Sequence, residues 1–108
     1  DCRGLAHIGA VLSNRGRLPV SNERIFPSVL SRYVNAILMT CGMYDGSGEF
    51  ALRVGVPAKS GVGGGIMAGA PTRMGIGIFG PALDRKGNSV AGIKLLERLS
   101  GELHLSIF

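Results

Sequence analysis

The sequence predicts an α/β fold of the α+β type, an antiparallel hairpin or small sheet with helices packed against it. Apolar residues recur at helical spacing over residues 27–41 and 88–100. Between these segments, apolar residues alternate with glycine over 74–78, which is typical of a strand with one nearly bare face. The chain has 108 residues, enough for one small hydrophobic core. We therefore expect a single domain.

Two helices are predicted before the sheet. The first spans 2–13, where Asp1 can cap the N-terminus. Its apolar residues on one face are Leu5, Ile8 and Leu12. The second spans 27–41 and has Pro27 at its first position, where the missing N–H of proline costs nothing.

Two further helices are predicted, over 47–54 and 88–100, and Gly101 is expected to end the last one. Their candidate N-caps are Asp45 or Ser47 for the third helix and Asn88 or Ser89 for the fourth. The inward side chains of the fourth helix are expected to be Val90, Ile93, Leu96 and Leu99.

Residues 58–80 are predicted to form a hairpin that turns at Pro71-Thr72. Its first arm is rich in glycine, at positions 61, 63, 64, 65 and 69. Glycine within a strand marks a place where another backbone or a ligand comes close. We therefore expect a helix, a backbone or a ligand to lie against this hairpin.

Composition restricts the class of partner. The net charge is +5, but the arginines are scattered singly without aromatic residues between them, so no nucleic-acid surface is expected. No apolar run is long enough to span a bilayer, so no membrane partner is expected. Mean hydropathy is +0.29, which suggests apolar surface that is covered by a partner. The chain does not start with methionine, so we expect it to be processed or a piece of something longer.

The cysteines and histidines give no metal site. Cys2 and Cys41 lie far apart without the spacing of paired ligands, and His7 and His104 lie near opposite ends of the chain. We expect the cysteines to be buried free thiols in a reducing cytoplasm.

Nucleotide-binding loops are excluded by residue order. A phosphate-binding loop places its glycines before the Lys-Ser pair, whereas here the glycines follow Lys59-Ser60. The dinucleotide fingerprint starting at Gly61 would need glycine where Ile66 stands.

The triplet Lys59-Ser60-Gly61 is better interpreted as one wall of an acyl-transfer site. A lysine on a strand supplies positive charge, and a free backbone N–H just beyond can stabilise a developing oxyanion. Related triplets work with a Ser-x-x-Lys nucleophile. The positions three before each lysine are occupied by Val56, Leu83 and Ala91, so this chain contains no such motif.

Several motifs together resemble the serine-dependent glutaminases, whose fold is like that of the β-lactamases and DD-peptidases. The matching segments are Cys-Gly-Met-Tyr-Asp-Gly-Ser-Gly-Glu-Phe-Ala at 41–51, Val-Pro-Ala-Lys-Ser-Gly-Val-Gly-Gly-Gly-Ile at 56–66, Leu-Asp at 83–84 and Gly-Asn-Ser-Val at 87–90. The resemblance covers essentially the whole chain but only the C-terminal portion of a glutaminase.

The resemblance implies hydrolysis of L-glutamine to L-glutamate and ammonia through an acyl-serine intermediate, without cofactor or metal. It implies that Tyr44 contacts substrate and transfers a proton, that Lys59 gives electrostatic support, and that the Val62 N–H contributes to the oxyanion hole. The nucleophile and the other substrate-binding residues would lie upstream, so the chain alone is expected to be inactive and to need its N-terminal part. A homo-oligomer in the cytoplasm is also expected.

Two alternatives remain open from the sequence. The chain could be a truncated module that binds a ligand or partner through the glycine hairpin without catalysis. It could also belong to another Ser-x-x-Lys acyl hydrolase, such as a β-lactamase or a peptidase.

Overall fold

The computed structural model describes all 108 residues. It contains four α-helices, one short 3₁₀ turn and one three-stranded sheet. The elements in chain order are α1 (Cys2–Ser13), α2 (Ser28–Cys41), the 3₁₀ turn (Tyr44–Gly46), α3 (Ser47–Arg53), β1 (Ala58–Ser60), β2 (Gly65–Ala70), β3 (Met74–Phe79) and α4 (Val90–Leu103).

The sheet is antiparallel with strand order β1-β2-β3, so β1 is an edge strand. Ala58 pairs with Ala68, and Ile66 pairs with Ile78. The prediction of a single hairpin over 58–80 is wrong, because a turn over 61–64 divides its first arm into two strands. Gly64 adopts a φ of 96° in this turn, a conformation that glycine reaches without steric cost.

Helix α1 covers the face of β3 on which Gly75 and Gly77 leave no side chains. A Cβ atom on Gly75 would collide with the carbonyl oxygen of Ala6, and one on Gly77 would collide with that of Cys2. The two glycines therefore allow the helix backbone to lie directly on β3. The predicted apolar face of α1 is only partly correct, because Ile8 is 54% exposed.

The other face of the sheet carries the main hydrophobic core. Ile66 and Ala68 of β2 are fully buried there, together with Phe50 of α3 and Leu96 of α4. Helices thus lie on both faces of an antiparallel sheet, which confirms the predicted fold class. Four side chains of α4 were predicted to point inward. This prediction is wrong for Val90, which is 38% exposed, and correct for Leu96, which is 1% exposed.

The helix ends follow local capping chemistry only in part. Asp1 accepts a hydrogen bond from the Gly4 N–H, and Ser89 accepts one from the Gly92 N–H. The prediction that Gly101 ends α4 is wrong, since the helix continues to Leu103. A glycine inside a helix costs only about 1 kcal/mol relative to alanine, which tertiary packing overrides.

The other two predicted helix starts also differ from the structure. Pro27 is the N-cap of α2 and not its first residue. Neither Asp45 nor Ser47 caps α3, which is preceded directly by the 3₁₀ turn. The hydroxyl of Ser47 is instead engaged with the backbone of Met43 and Tyr44.

Helix α2 presents apolar side chains to solvent and polar side chains to the rest of the chain. Ser31 is buried, and Asn35 donates to the carbonyl oxygen of Leu12 in α1. The exposed side chains on its outer surface are Val29, Leu30, Tyr33, Val34 and Ile37. We call this set the α2 stripe.

Both cysteines are free and exposed, so the prediction of buried thiols is wrong. Cys2 is the first residue of α1 and Cys41 is the last residue of α2, and both helix ends lie at the surface. As for membrane spans, the chain has no helix with the length and apolar character needed to cross a bilayer.

Candidate active site

Tyr44 opens the 3₁₀ turn after α2, with a φ of 52°. A residue other than glycine in this region is strained by about 1–3 kcal/mol and persists only where its surroundings fix it. The Ser47 hydroxyl accepts from the Met43 N–H at 3.0 Å and donates to the Tyr44 carbonyl oxygen at 2.8 Å. The tyrosine backbone is therefore held from both sides.

Lys59 lies on the edge strand β1, and its side chain reaches back to Tyr44. The ammonium nitrogen lies 4.5 Å from the centroid of the Tyr44 ring. It also donates to the carbonyl oxygen of Ser60. The positive charge is thereby held beside the phenol ring by a cation–π contact.

Val62 lies in the turn between β1 and β2, and its side chain is 73% exposed. The N–H groups of Gly61 and Gly64 donate within the turn, at 2.9 Å each, whereas those of Val62 and Gly63 donate to no acceptor in the chain. A backbone donor without a partner at an exposed turn is available to a ligand.

Gly87 connects Val62 to Tyr44. A Cβ atom built on Gly87 would lie 3.7 Å from Cε2 of Tyr44 and 3.9 Å from Cγ1 of Val62. Tyr44 therefore neighbours both Lys59 and the Gly87 turn, which also borders Val62. The structure thus brings the three residues singled out from the sequence into one region.

A buried hydrogen-bond bridge supports this region, and its members are not among the site residues predicted from the sequence. The Ser60 hydroxyl donates to Oδ1 of Asn88 at 2.5 Å, and Nδ2 of Asn88 donates to the Met43 carbonyl oxygen at 2.9 Å. Ser60 adjoins Lys59, and Met43 adjoins Tyr44. Asn88 lies in the motif Gly-Asn-Ser at 87–89, which is one of the segments that carry the resemblance. Sequence spacing could not show that its partners lie 28 and 45 positions away.

Charged side chains form a network beside the site. Arg53 bonds Glu49 at 3.0 Å and Glu97 at 2.7 Å, and Lys86 lies 3.5 Å from Glu49. The hydrogen bond from Arg53, followed by the charge of Lys86, lowers the pKa of Glu49 below its ordinary value. The hydrogen bonds to Glu97 and Glu49 raise the pKa of Arg53.

Two grooves flank these residues. One, of about 430 Å³, lies between α1 and the β1–β2 turn and includes Lys59, Gly61 and Gly63 in its lining. The other, of about 340 Å³, is lined mainly by charged residues and contains none of the three predicted residues. Of the three predicted residues, the first groove is lined only by Lys59, and we therefore place the candidate site beside this groove.

The site offers a phenol, a cation and a free backbone N–H, but no available nucleophile. The hydroxyls of Ser60 and Ser47 are buried and engaged in hydrogen bonds. Side chains of His, Cys, Asp and Glu form no group of three that could hold a metal ion. This arrangement can stabilise an oxyanion and move a proton for a nucleophile supplied from elsewhere.

Comparison with known proteins gives consistent relatives. The family model described as Glutaminase matches residues 1–108. The chain is 61% identical over 107 residues to a glutaminase of Clostridium tetani, and 60% identical to one of Clostridium botulinum. Each match covers 99% of this chain and 35% of the relative. The chain therefore spans about one third of the length of these relatives.

Solved structures agree over the same region. A Bacillus glutaminase crystallised with 4.3 M NaCl matches with a TM-score of 0.95 and 46% identity, over 99% of this chain and 38% of that one. A covalent complex of the Bacillus subtilis glutaminase YbgJ with 5-oxo-L-norleucine, formed from 6-diazo-5-oxo-L-norleucine, also gives a TM-score of 0.95 and 46% identity. That match covers 98% of this chain and 39% of that one.

Proposed function

We propose, from the premise that this chain belongs to the glutaminase family, that it forms one wall of a site that hydrolyses L-glutamine to L-glutamate and ammonia. The observation that carries the proposal is that Lys59 lies against Tyr44, while the Gly87 turn borders both Tyr44 and Val62, whose N–H is free. These groups lie on three separate segments, and each suits a step of acyl transfer.

The proposed reaction proceeds through an acyl-enzyme. A serine hydroxyl from the part of the protein outside residues 1–108 attacks the side-chain carboxamide carbon of glutamine, and its proton is taken up as the C–O bond forms. The carbonyl oxygen becomes an oxyanion, which accepts a hydrogen bond from the Val62 N–H. The C–N bond then breaks, the nitrogen gains a proton and leaves as ammonia, and water hydrolyses the resulting ester to glutamate.

Tyr44 is proposed to move the proton in these steps. Tyr44 is 40% exposed, so part of the residue is accessible to solvent. Lys59 is proposed to stabilise negative charge on the phenol oxygen or on the substrate, since its ammonium lies against the same ring. Such proton transfer accounts for about 10²- to 10⁴-fold in rate in other enzymes.

The remainder of the enzyme is proposed to pack against the α2 stripe. Ile37 is 57% exposed and Leu30 is 46% exposed, and both lie on the same side of α2. Contiguous exposed apolar surface of this kind marks an interaction site. Two thirds of the length of the relatives lies outside the match, which is ample to supply both this cover and the nucleophile.

Localisation and assembly are proposals of the same kind. We propose that the protein is cytoplasmic, with support from two exposed cysteines that remain unpaired. We also propose a homo-oligomer. Light scattering on the full-length protein checks the assembly, and a monomer at enzyme concentrations used for assay would overturn it.

The function is tested by comparing the full-length protein that carries this chain with residues 1–108 alone. We expect the full-length protein to release ammonia from L-glutamine and to gain one covalent adduct from 6-diazo-5-oxo-L-norleucine, measured by mass spectrometry. The isolated chain is expected to do neither. Ammonia release by the isolated chain at an enzyme-like rate, or β-lactam hydrolysis without glutamine hydrolysis by the full-length protein, would overturn the proposal.

A further inference from the structure

We propose that Asn88 is a positioning residue, which holds Tyr44 and the turn that carries Val62 in register through one buried hydrogen-bond bridge. The inference rests on the proposed function for what these two groups do. The hydrogen bonds of the Asn88 side chain, which position Tyr44 and Val62, are observed in the structure itself.

The Asn88 amide joins the two halves of the site directly. Its oxygen accepts from the Ser60 hydroxyl at 2.5 Å, and its nitrogen donates to the Met43 carbonyl oxygen at 2.9 Å. Asn88 and Met43 are each 1% exposed, and Ser60 is 3% exposed. Water therefore does not compete with either bond.

Asparagine has the chemistry that this position requires. The Met43 carbonyl oxygen can only accept a hydrogen bond, so it needs a donor, while the Ser60 hydroxyl donates and needs an acceptor. A short amide supplies both from one planar group. An aspartate would face the Met43 carbonyl with a second acceptor. An apolar residue would leave the buried Ser60 hydroxyl unsatisfied and the Met43 carbonyl with only its bond from the Gly46 N–H.

Asn88 is itself fixed by the turn that precedes α4. The Asp84 carboxylate accepts from the Asn88 N–H at 3.0 Å and from the Lys86 N–H at 2.8 Å. The Asp84 N–H in turn donates to the Asn88 carbonyl oxygen at 2.8 Å. The amide therefore projects from a closed turn and acts as a fixed reference for its two partners.

The Tyr44 side of the bridge bears strain. Tyr44 has a φ of 52°, and the peptide before it is oriented by the Met43 carbonyl. That carbonyl accepts from the Gly46 N–H at 3.1 Å as well as from Asn88. Loss of the Asn88 bond frees the peptide that sets the direction of the tyrosine.

The Val62 side of the bridge is anchored through β1. Ser60 is the last residue of β1, and its N–H donates to the Gly42 carbonyl oxygen at 3.0 Å. The Asn88 bond holds the side chain of this residue, while the backbone bond ties the strand end to the end of α2. Val62 follows Ser60 by two residues, so the position of its N–H depends on how the end of β1 is held.

The test measures glutamine hydrolysis by full-length Asn88→Ala, Ser60→Ala and the double variant. We expect kcat of Asn88→Ala to fall about 10- to 100-fold, because a displacement of about 1 Å at reacting groups costs up to that much. KM is expected to change less than kcat. The double variant is expected to lose no more than Asn88→Ala alone, because both changes break one bridge.

Asn35→Ala is the matched control. Asn35 also ties two elements together, through its 3.4 Å bond to the Leu12 carbonyl oxygen, but it lies outside the site. This variant is expected to lose stability and to keep kcat. Should Asn88→Ala fail to fold, Ser60→Ala gives the same readouts with the loss of one hydroxyl group.

Either of two results would overturn the positioning role. One is a kcat for Asn88→Ala and Ser60→Ala equal to that of Asn35→Ala. The other is a crystal structure of either bridge variant in which the Tyr44 ring and the Val62 N–H keep their places. The structural result decides the inference even if the unmodified full-length protein releases no ammonia, an outcome that overturns the proposed function instead.

Discussion

The ammonium group of Lys59 lies 4.5 Å from the centroid of the Tyr44 ring, although the two residues belong to different elements. An exposed cation–π contact of this kind contributes about 0.5–1 kcal/mol. The contact also helps to fix the position of the Tyr44 ring, because Tyr44 is 40% exposed and is not fully packed by other residues. The lysine covers one side of the ring and keeps a positive charge within reach of the phenol.

Removal of the Tyr44 hydroxyl is the first prediction. Tyr44→Phe in the full-length protein keeps the ring and its contact with Lys59. We expect kcat for L-glutamine to fall about 10²- to 10⁴-fold, the range for loss of a positioned proton-transfer group. Ammonia release is the measurement, and Tyr33→Phe on α2 is the control. Unchanged turnover in Tyr44→Phe would remove the phenol from the mechanism.

The second prediction concerns the backbone donor at Val62. Val62→Pro removes the free N–H, and we expect kcat to fall about 10²- to 10³-fold, the usual effect of losing one oxyanion-hole donor. Val62→Ala keeps the N–H and trims a side chain that is 73% exposed, so its kcat is expected to stay near that of the unmodified protein. Equal losses in both variants would point to the side chain and contradict the oxyanion role.

The third prediction concerns the contact between α1 and the sheet. Gly75→Ala would push a methyl group into the backbone of Ala6 and Ala10. We expect the free energy of unfolding to fall by about 1–3 kcal/mol or more, as for overpacked cores. Gly101→Ala is the control, because that glycine is helical and has nothing within 4 Å, so a gain of about 0.5–1 kcal/mol is expected.

Denaturant unfolding of the full-length protein measures both glycine variants. A Gly75→Ala variant as stable as the unmodified protein would show that α1 does not rest on the β3 backbone.

The fourth prediction concerns pH. The hydrogen bond from Arg53 and the charge of Lys86 lower the pKa of Glu49 in the folded state. The unfolded chain therefore binds the proton more readily, and the stabilisation is present above the unfolded pKa and lost as pH falls through the folded one. We expect Glu49→Gln to lower Tm at neutral pH and to approach the unmodified protein in acid.

Salt and a second carboxylate control this experiment. High salt is expected to reduce the Tm difference at neutral pH, because the ion pairs of Glu49 with Arg53 and Lys86 are exposed and are screened by salt. Glu102→Gln, which breaks a single exposed pair with Arg98, is the control. A Tm difference for Glu49→Gln that grows on acidification would contradict the assigned direction of the pKa shift.

Much of the local structure could be predicted from the sequence. The first helix occupies the predicted residues 2–13, and Asp1 and Ser89 make the capping bonds that their side chains predict. These features depend on residues within one turn of each other, so local chemistry decides them. The division of 58–80 into three strands was missed because glycine allows both strand and turn.

The orientation of α2 shows the limit of periodicity. The pattern over residues 27–41 identifies a helix, and the structure has one at Ser28–Cys41. The apolar residues nevertheless face solvent, while Ser31 faces the chain. Periodicity specifies that a helix has an apolar side, but it does not specify which neighbour covers that side.

The sequence by itself predicted the element types and the capping bonds of Asp1 and Ser89, and motifs shared with a family singled out Tyr44, Lys59 and Val62. Only the tertiary structure decided that Lys59 lies against Tyr44, that α1 rests on bare glycines, and that Asn88 bridges Ser60 to Met43. The physical reason is the distance along the sequence over which each kind of interaction acts. Propensity and capping act between neighbours in sequence, whereas a buried donor must find its acceptor wherever the folded chain places one.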